Sequence, residues 1–141
     1  MKKSLVFVLL VVAAMLAFNA VAYAVTHNFD GWFSIDVPAG WTVEGSGADM
    51  YVRVASLDGS ESITFEYASA EGMGSREFAE YTLGILGGSG SVTETNYGSF
   101  GFTLPNGSNV RALMTGCVGV VMKSVRGFDN LQGIIETFVG F

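Results

Sequence analysis

The sequence predicts an α+β fold: an antiparallel β-sheet with two helices packed on it. Three observations carry this reading. Several segments alternate apolar and polar residues, the period of a strand with one covered face. In two places, near residues 75–86 and 129–138, the apolar spacing lengthens to that of a helix. The order is strands, helix, strands, helix, which suits helices laid on an antiparallel sheet.

Phe33, Ile35 and Val37 alternate with Ser34 and Asp36, so Phe33–Val37 reads as a strand. Pro38-Ala39-Gly40 ends it as a turn, and Trp41–Glu44 resumes with strand-forming types. Met50–Ser56 and Ser62–Ala68 flank Asp58-Gly59, whose two residue types tolerate positive φ, so a hairpin is predicted. Ile63, Phe65 and Tyr67 share one face of the second strand, Thr64 and Glu66 the other.

A helix is predicted from Ser75, its expected N-cap, to Leu86, with Glu77 in the first turn. Phe78, Tyr81, Thr82, Ile85 and Leu86 form its apolar stripe, and Gly87-Gly88 ends it. Gly84 inside it costs up to about 1 kcal/mol relative to Ala, which points to close packing on the sheet. Strands are expected at Ser91–Tyr97, Ser99–Leu104, Asn109–Thr115 and Val118–Val125, with a tight turn at Pro105–Ser108. Leu131, Ile134, Ile135 and Phe138 place a closing helix over 129–138.

The chain begins with the three parts of a secretory signal. Lys2 and Lys3 precede an unbroken apolar run from Leu5 to Phe18, and Ala22-Tyr23-Ala24 offers a cleavage site. Residues 1–24 are therefore expected to be a signal peptide and 25–141 a single domain, periplasmic or secreted. The alternative is an uncleaved anchor, since the run to Val25 is just long enough to span a bilayer. The formal net charge is −6, and loss of Lys2 and Lys3 makes it more negative. Nucleic acid and anionic membrane surfaces are poor partners for such a surface. Cys117 is the only cysteine, so no intramolecular disulfide forms. Its apolar neighbours predict a buried thiol.

The phrase Phe33-Ser34-Ile35-Asp36-Val37-Pro38-Ala39-Gly40-Trp41 resembles the opening of the PsbP-like group, which includes the DcrB-like small exported bacterial proteins. The hairpin, the helix from Ser75, the later strands and the closing helix follow in the same order. The resemblance implies an α/β/α-type sandwich around an antiparallel sheet, and an accessory or scaffold role without chemistry.

The residues supply little catalytic equipment. His27 is the only histidine, expected on a frayed terminus where a catalytic base is poorly held. One His and one Cys cannot build a zinc site of the N/S type. Asp58–Glu61 reads as a turn rather than a calcium loop. Gly72-Met73-Gly74 and Gly87–Gly90 read as caps and turns, because no Lys accompanies them. No catalytic, cofactor-binding or metal-ligating residue is assigned, and no cofactor is expected.

The sequence thus supports a non-catalytic exported domain that binds another protein. One alternative is a pocket for a small apolar ligand, with Trp32, Trp41, Tyr51 and Tyr97 as candidate lining aromatics. The other is a hydrolase using paired carboxylates. Phe141 on an alternating tail also resembles the end of an outer-membrane barrel, but the length is scarcely enough for eight strands of about 9–11 residues each.

Overall fold

The structure, a computed structural model, describes residues 24–29, 31–46 and 48–140. The expected signal lies outside these residues apart from Ala24. The elements are β1 (Val25–Phe29), β2 (Phe33–Val37), β3 (Thr42–Ser46), β4 (Tyr51–Ala55), β5 (Ser62–Ser69), α1 (Ser75–Ile85), β6 (Thr93–Glu94), β7 (Phe100–Thr103), β8 (Asn109–Thr115), β9 (Val118–Ser124), α2 (Gln132–Ile135) and β10 (Val139–Gly140). The fold is α+β: antiparallel sheets with packed helices.

A seven-stranded sheet in the order β3-β4-β5-β9-β8-β7-β6 forms the centre, and a three-stranded sheet, β1-β2-β10, lies over it. Among the described residues the large sheet stays open, with β3 and β6 as its edges. The pairings are antiparallel throughout. Alternation along each strand sends side chains to opposite faces. On one face Val52, Val54, Ile63, Phe65, Tyr67, Val120 and Met122 meet the small sheet and α2. On the other, α1 lays Phe78, Ala79 and Leu83 over Val110, Ala112 and Val121.

The layer that carries α2 is therefore a small sheet plus one helical turn, not the helix alone that an α/β/α sandwich implies. The closing helix is shorter than the expected 129–138. A 3-10 turn (Asp129–Leu131) leads into α2, and the chain then runs out to β10. Thr137 explains the ending. Its Oγ1 donates to the Ile134 carbonyl at 2.8 Å and accepts the Asp36 N–H at 2.8 Å, so the chain turns onto β2 instead of winding on.

Other expectations need correction. The N-terminal stretch is strand β1, so His27 is not on a frayed end: it pairs opposite Ile35, and its ring stacks on Phe29. The strand expected at Ser91–Tyr97 shrinks to Thr93–Glu94, because Tyr97 takes φ 64 inside a 3-10 turn. Ser75 does not cap α1. Gly74 holds that position, and the Ser75 hydroxyl accepts the Met114 N–H of β8 at 2.9 Å, tying helix to sheet. Cys117 is exposed. It sits with Gly116, at φ +61, in the two-residue turn between Thr115 and Val118, where a positive φ matches the twist of the paired strands.

The close approach of α1 to the sheet is made by Gly119 rather than Gly84. A Cβ on Gly119 would lie 2.3 Å from the Phe78 ring, whereas one on Gly84 meets nothing within 4 Å. The same substitution should therefore act in opposite directions at the two sites. Gly84→Ala is expected to stabilise by up to about 1 kcal/mol. Gly119→Ala is expected to destabilise by about 1–3 kcal/mol, the range for overpacking. Urea unfolding of both variants checks the pair.

Candidate functional site

Helix α1 covers only part of the large sheet. It packs on β7, β8 and β9, so the same face of β4 and β5 is left without a helix. The apolar stripe splits accordingly. Phe78, Ala79, Thr82 and Leu83 are buried, but Tyr81 is 54% and Ile85 64% exposed. Tyr51 and Met50, at the start of β4, are also exposed. Between these two walls runs a trough of about 450 Å³, floored by Phe78, Gly119 and Val121.

The trough is predominantly apolar and open to solvent along one side. Its polar groups sit at the margin. Lys123 Nζ is 2.9 Å from Glu66 Oε2, and both side chains remain partly hydrated. Asp49 accepts the Ser46 hydroxyl at 2.7 Å. Each carboxylate in the trough is thus already engaged by a partner on the chain. Ions placed at a rim in this way orient a partner more than they bind it.

The four aromatics named as candidate lining of a pocket, Trp32, Trp41, Tyr51 and Tyr97, do not meet. Trp32 meets Tyr67 in a tilted pair at 5.4 Å, at the seam between the sheets. Trp41 packs on the main core, Tyr51 lines the trough, and Tyr97 lies elsewhere, where a hydrogen bond with Glu136 pushes its phenol pKa up. Core filling and exposure account for them separately. Periodicity puts Tyr81 and Ile85 on the same apolar stripe as the buried residues; the signal for their exposure is the width of that stripe, which exceeds what one helix–sheet contact buries.

Among the described residues, no group of three or more His, Cys, Asp or Glu gathers to hold a metal ion. The Asp58 carboxylate serves the hairpin turn. It accepts the Ser60 N–H at 3.0 Å and the Ser56 and Ser60 hydroxyls at 2.8 Å each. No described helix is long and apolar enough to cross a membrane.

No family model matches the sequence, and no curated protein matches it. The fold is similar to a crystal structure from Bacteroides thetaiotaomicron VPI-5482, solved at 1.50 Å, with a TM-score of 0.53 and 13% sequence identity. The match covers 78% of this chain and 45% of that one, so this chain spans less than half of its neighbour's length. At that identity the likeness concerns the fold alone.

The hydrogen bonds at Asp58, led by the Ser60 N–H, hold its carboxyl pKa down from 3.8 to about 2. The depressed pKa means that the turn gains stability from the ionised form above pH 3.8 and loses it as the pH falls through about 2. A carboxyl-carbon NMR titration should place the Asp58 midpoint near 2; a midpoint at or above 3.8 would show that the turn is not closed in solution.

Proposed function

We propose that this is an exported, non-catalytic accessory domain that binds another protein, and that the partner seats on the trough between α1 and the β4–β5 hairpin. The observation that carries the reading is the exposure of Tyr81 and Ile85 on the apolar side of α1, opposite Tyr51 and Met50. Isolated apolar residues on a surface need no explanation, but a contiguous group lining one depression marks an interaction site. Tyrosines with a branched aliphatic neighbour and a charged rim are the composition of a protein interface. The role is also the one that a PsbP-like assignment implies.

A small apolar ligand is the second reading, favoured by the trough's volume, which falls in the usual range for ligand pockets. The open side weighs against it, because an apolar ligand is held by the surface it buries and an open trough leaves much of that surface in water. The hydrolase reading is supported least. The carboxylates of the trough are engaged by Lys123 and Ser46, and no histidine lines it.

A photo-crosslinking residue at position 81, in the protein expressed in its own compartment, is expected to give one discrete protein adduct. The same residue at exposed Leu57, in the distant hairpin turn, should give none. Ile85→Asp in the first background should abolish the adduct, since it places a charge in the contact. Equal labelling from positions 81 and 57, or an adduct indifferent to Ile85→Asp, would remove the trough from the account. A small-molecule adduct in a native mass spectrum, with no protein adduct, would transfer the site to the second reading.

A further inference from the structure

Acidic residues outnumber basic ones 13 to 7 in this chain, so its cations should find carboxylates easily. Three of the described cations do: Arg53 with Glu44, Arg76 with Glu80 and Lys123 with Glu66. Arg111 and Arg126 do not. Both line one groove between the 89–95 segment and the turn that follows β9.

Arg111 projects from β8 on the face away from α1, opposite Met122 and Gly101. Its guanidinium lies 4.6 Å from the centre of the Phe128 ring, which fixes the plane of the fork. One terminal nitrogen, Nη1, is buried and finds no acceptor in the protein. That nitrogen is closed to solvent, so a ligand meets Arg111 only through the part of the side chain that lines the groove, and the guanidinium keeps its charge there. Arg126 stands exposed at the rim. The opposite wall carries Ser89, Ser91, Thr93 and Thr95 in alternation, the Thr95 hydroxyl donating to the Ser99 carbonyl at 3.1 Å, and the groove, open to solvent as the trough is, holds about 620 Å³. Asp129 also lines it, beyond ion-pair distance of either arginine.

We propose that this groove binds a small, hydroxyl-rich acid, whose carboxylate or phosphate oxyanion is taken by Arg111 and Arg126. A guanidinium held in plane presents parallel donors that match both oxyanions. The hydroxyls of Ser89, Ser91 and Thr93 both donate and accept, and so meet the hydroxyls of the ligand. Asp129 accepts from ligand hydroxyls and disfavours a second negative charge at its end of the groove. The volume suits a ligand of monosaccharide size and is too large for a bare ion.

The test is a titration of the folded protein at low salt with three probes: glucuronate, glucose 6-phosphate and glucose. It is followed by the Arg side-chain Nε–H resonances and the amides of residues 89–95. One or both acids should shift the Arg111 resonance saturably, with a dissociation constant of about 1 mM or tighter, and glucose should not. Which acid binds tells carboxylate from phosphate. Arg126→Gln, at an exposed position that leaves the fold intact, should weaken binding at least about tenfold, a loss of about 1.4 kcal/mol. Arg111→Met, which keeps the stem over Phe128, should abolish it. Equal shifts with glucose, no saturable shift with either acid, or an affinity unchanged in Arg126→Gln would overturn the proposal.

Discussion

The structure depends on one aromatic ring. Phe33, at the start of β2, is 1% exposed. It touches four rings: Phe29 on β1 at 4.8 Å, Phe65 and Tyr67 on β5 at 5.3 Å and 5.5 Å, and Phe138, just before β10, at 5.5 Å. The tilted and edge-on geometries are those that aromatic pairs prefer. A small sheet of two five-residue strands and one two-residue strand has little stability of its own. Stapled to the large sheet through Phe33, it becomes the lid of the main core. Leu131, Ile134 and Ile135 then complete that lid from the C-terminal side, and Thr137 locks the closing turn to Asp36.

Once that face is sealed, the other face has only α1 to cover it. Eleven helical residues span about 16 Å at 1.5 Å per residue, too little for seven strands about 4.8 Å apart. The helix is anchored toward β8 and β9 by the Ser75–Met114 bond and by Phe78 against Gly119. The β4–β5 half is consequently left open. There the sheet protects itself with the Glu44–Arg53 and Glu66–Lys123 pairs, which suit a hydrated face and contribute little stability. The trough lies on the boundary between the covered and the hydrated halves. It is a product of unequal coverage.

Much of the fold was legible in the residues. Asn109–Thr115 forms the strand that its alternation predicts, the Asp58-Gly59 hairpin closes as expected, and α1 ends one residue before Leu86. The failures have physical causes. Strand β1 carries Thr26, His27 and Asn28, polar residues without a buried alternation, and forms because β2 lends it a partner. The brief β10 exists only through pairing with Ser34 and Phe33. Cys117 has apolar neighbours, yet the register of Thr115 with Val118 makes it a turn residue. Periodicity placed Tyr81 and Ile85 on the correct side of the helix but could not say where the sheet beneath them ends. The meeting of Arg111 with Arg126 depends on the turn after β9 and has no local signal at all.

Phe33 holds the fold, whereas Tyr81 and Ile85 are residues that the fold merely displays. Equilibrium urea unfolding of two variants, compared side by side, tests that separation directly. Phe33→Ala should lose about 3–5 kcal/mol, the usual cost of a buried ring. Tyr81→Ser combined with Ile85→Ser should stay within about 1 kcal/mol of the parent, as two exposed substitutions do. That outcome would leave the trough residues without a structural duty. A double variant as unstable as Phe33→Ala would contradict the account, and would make the exposed side of α1 part of the core.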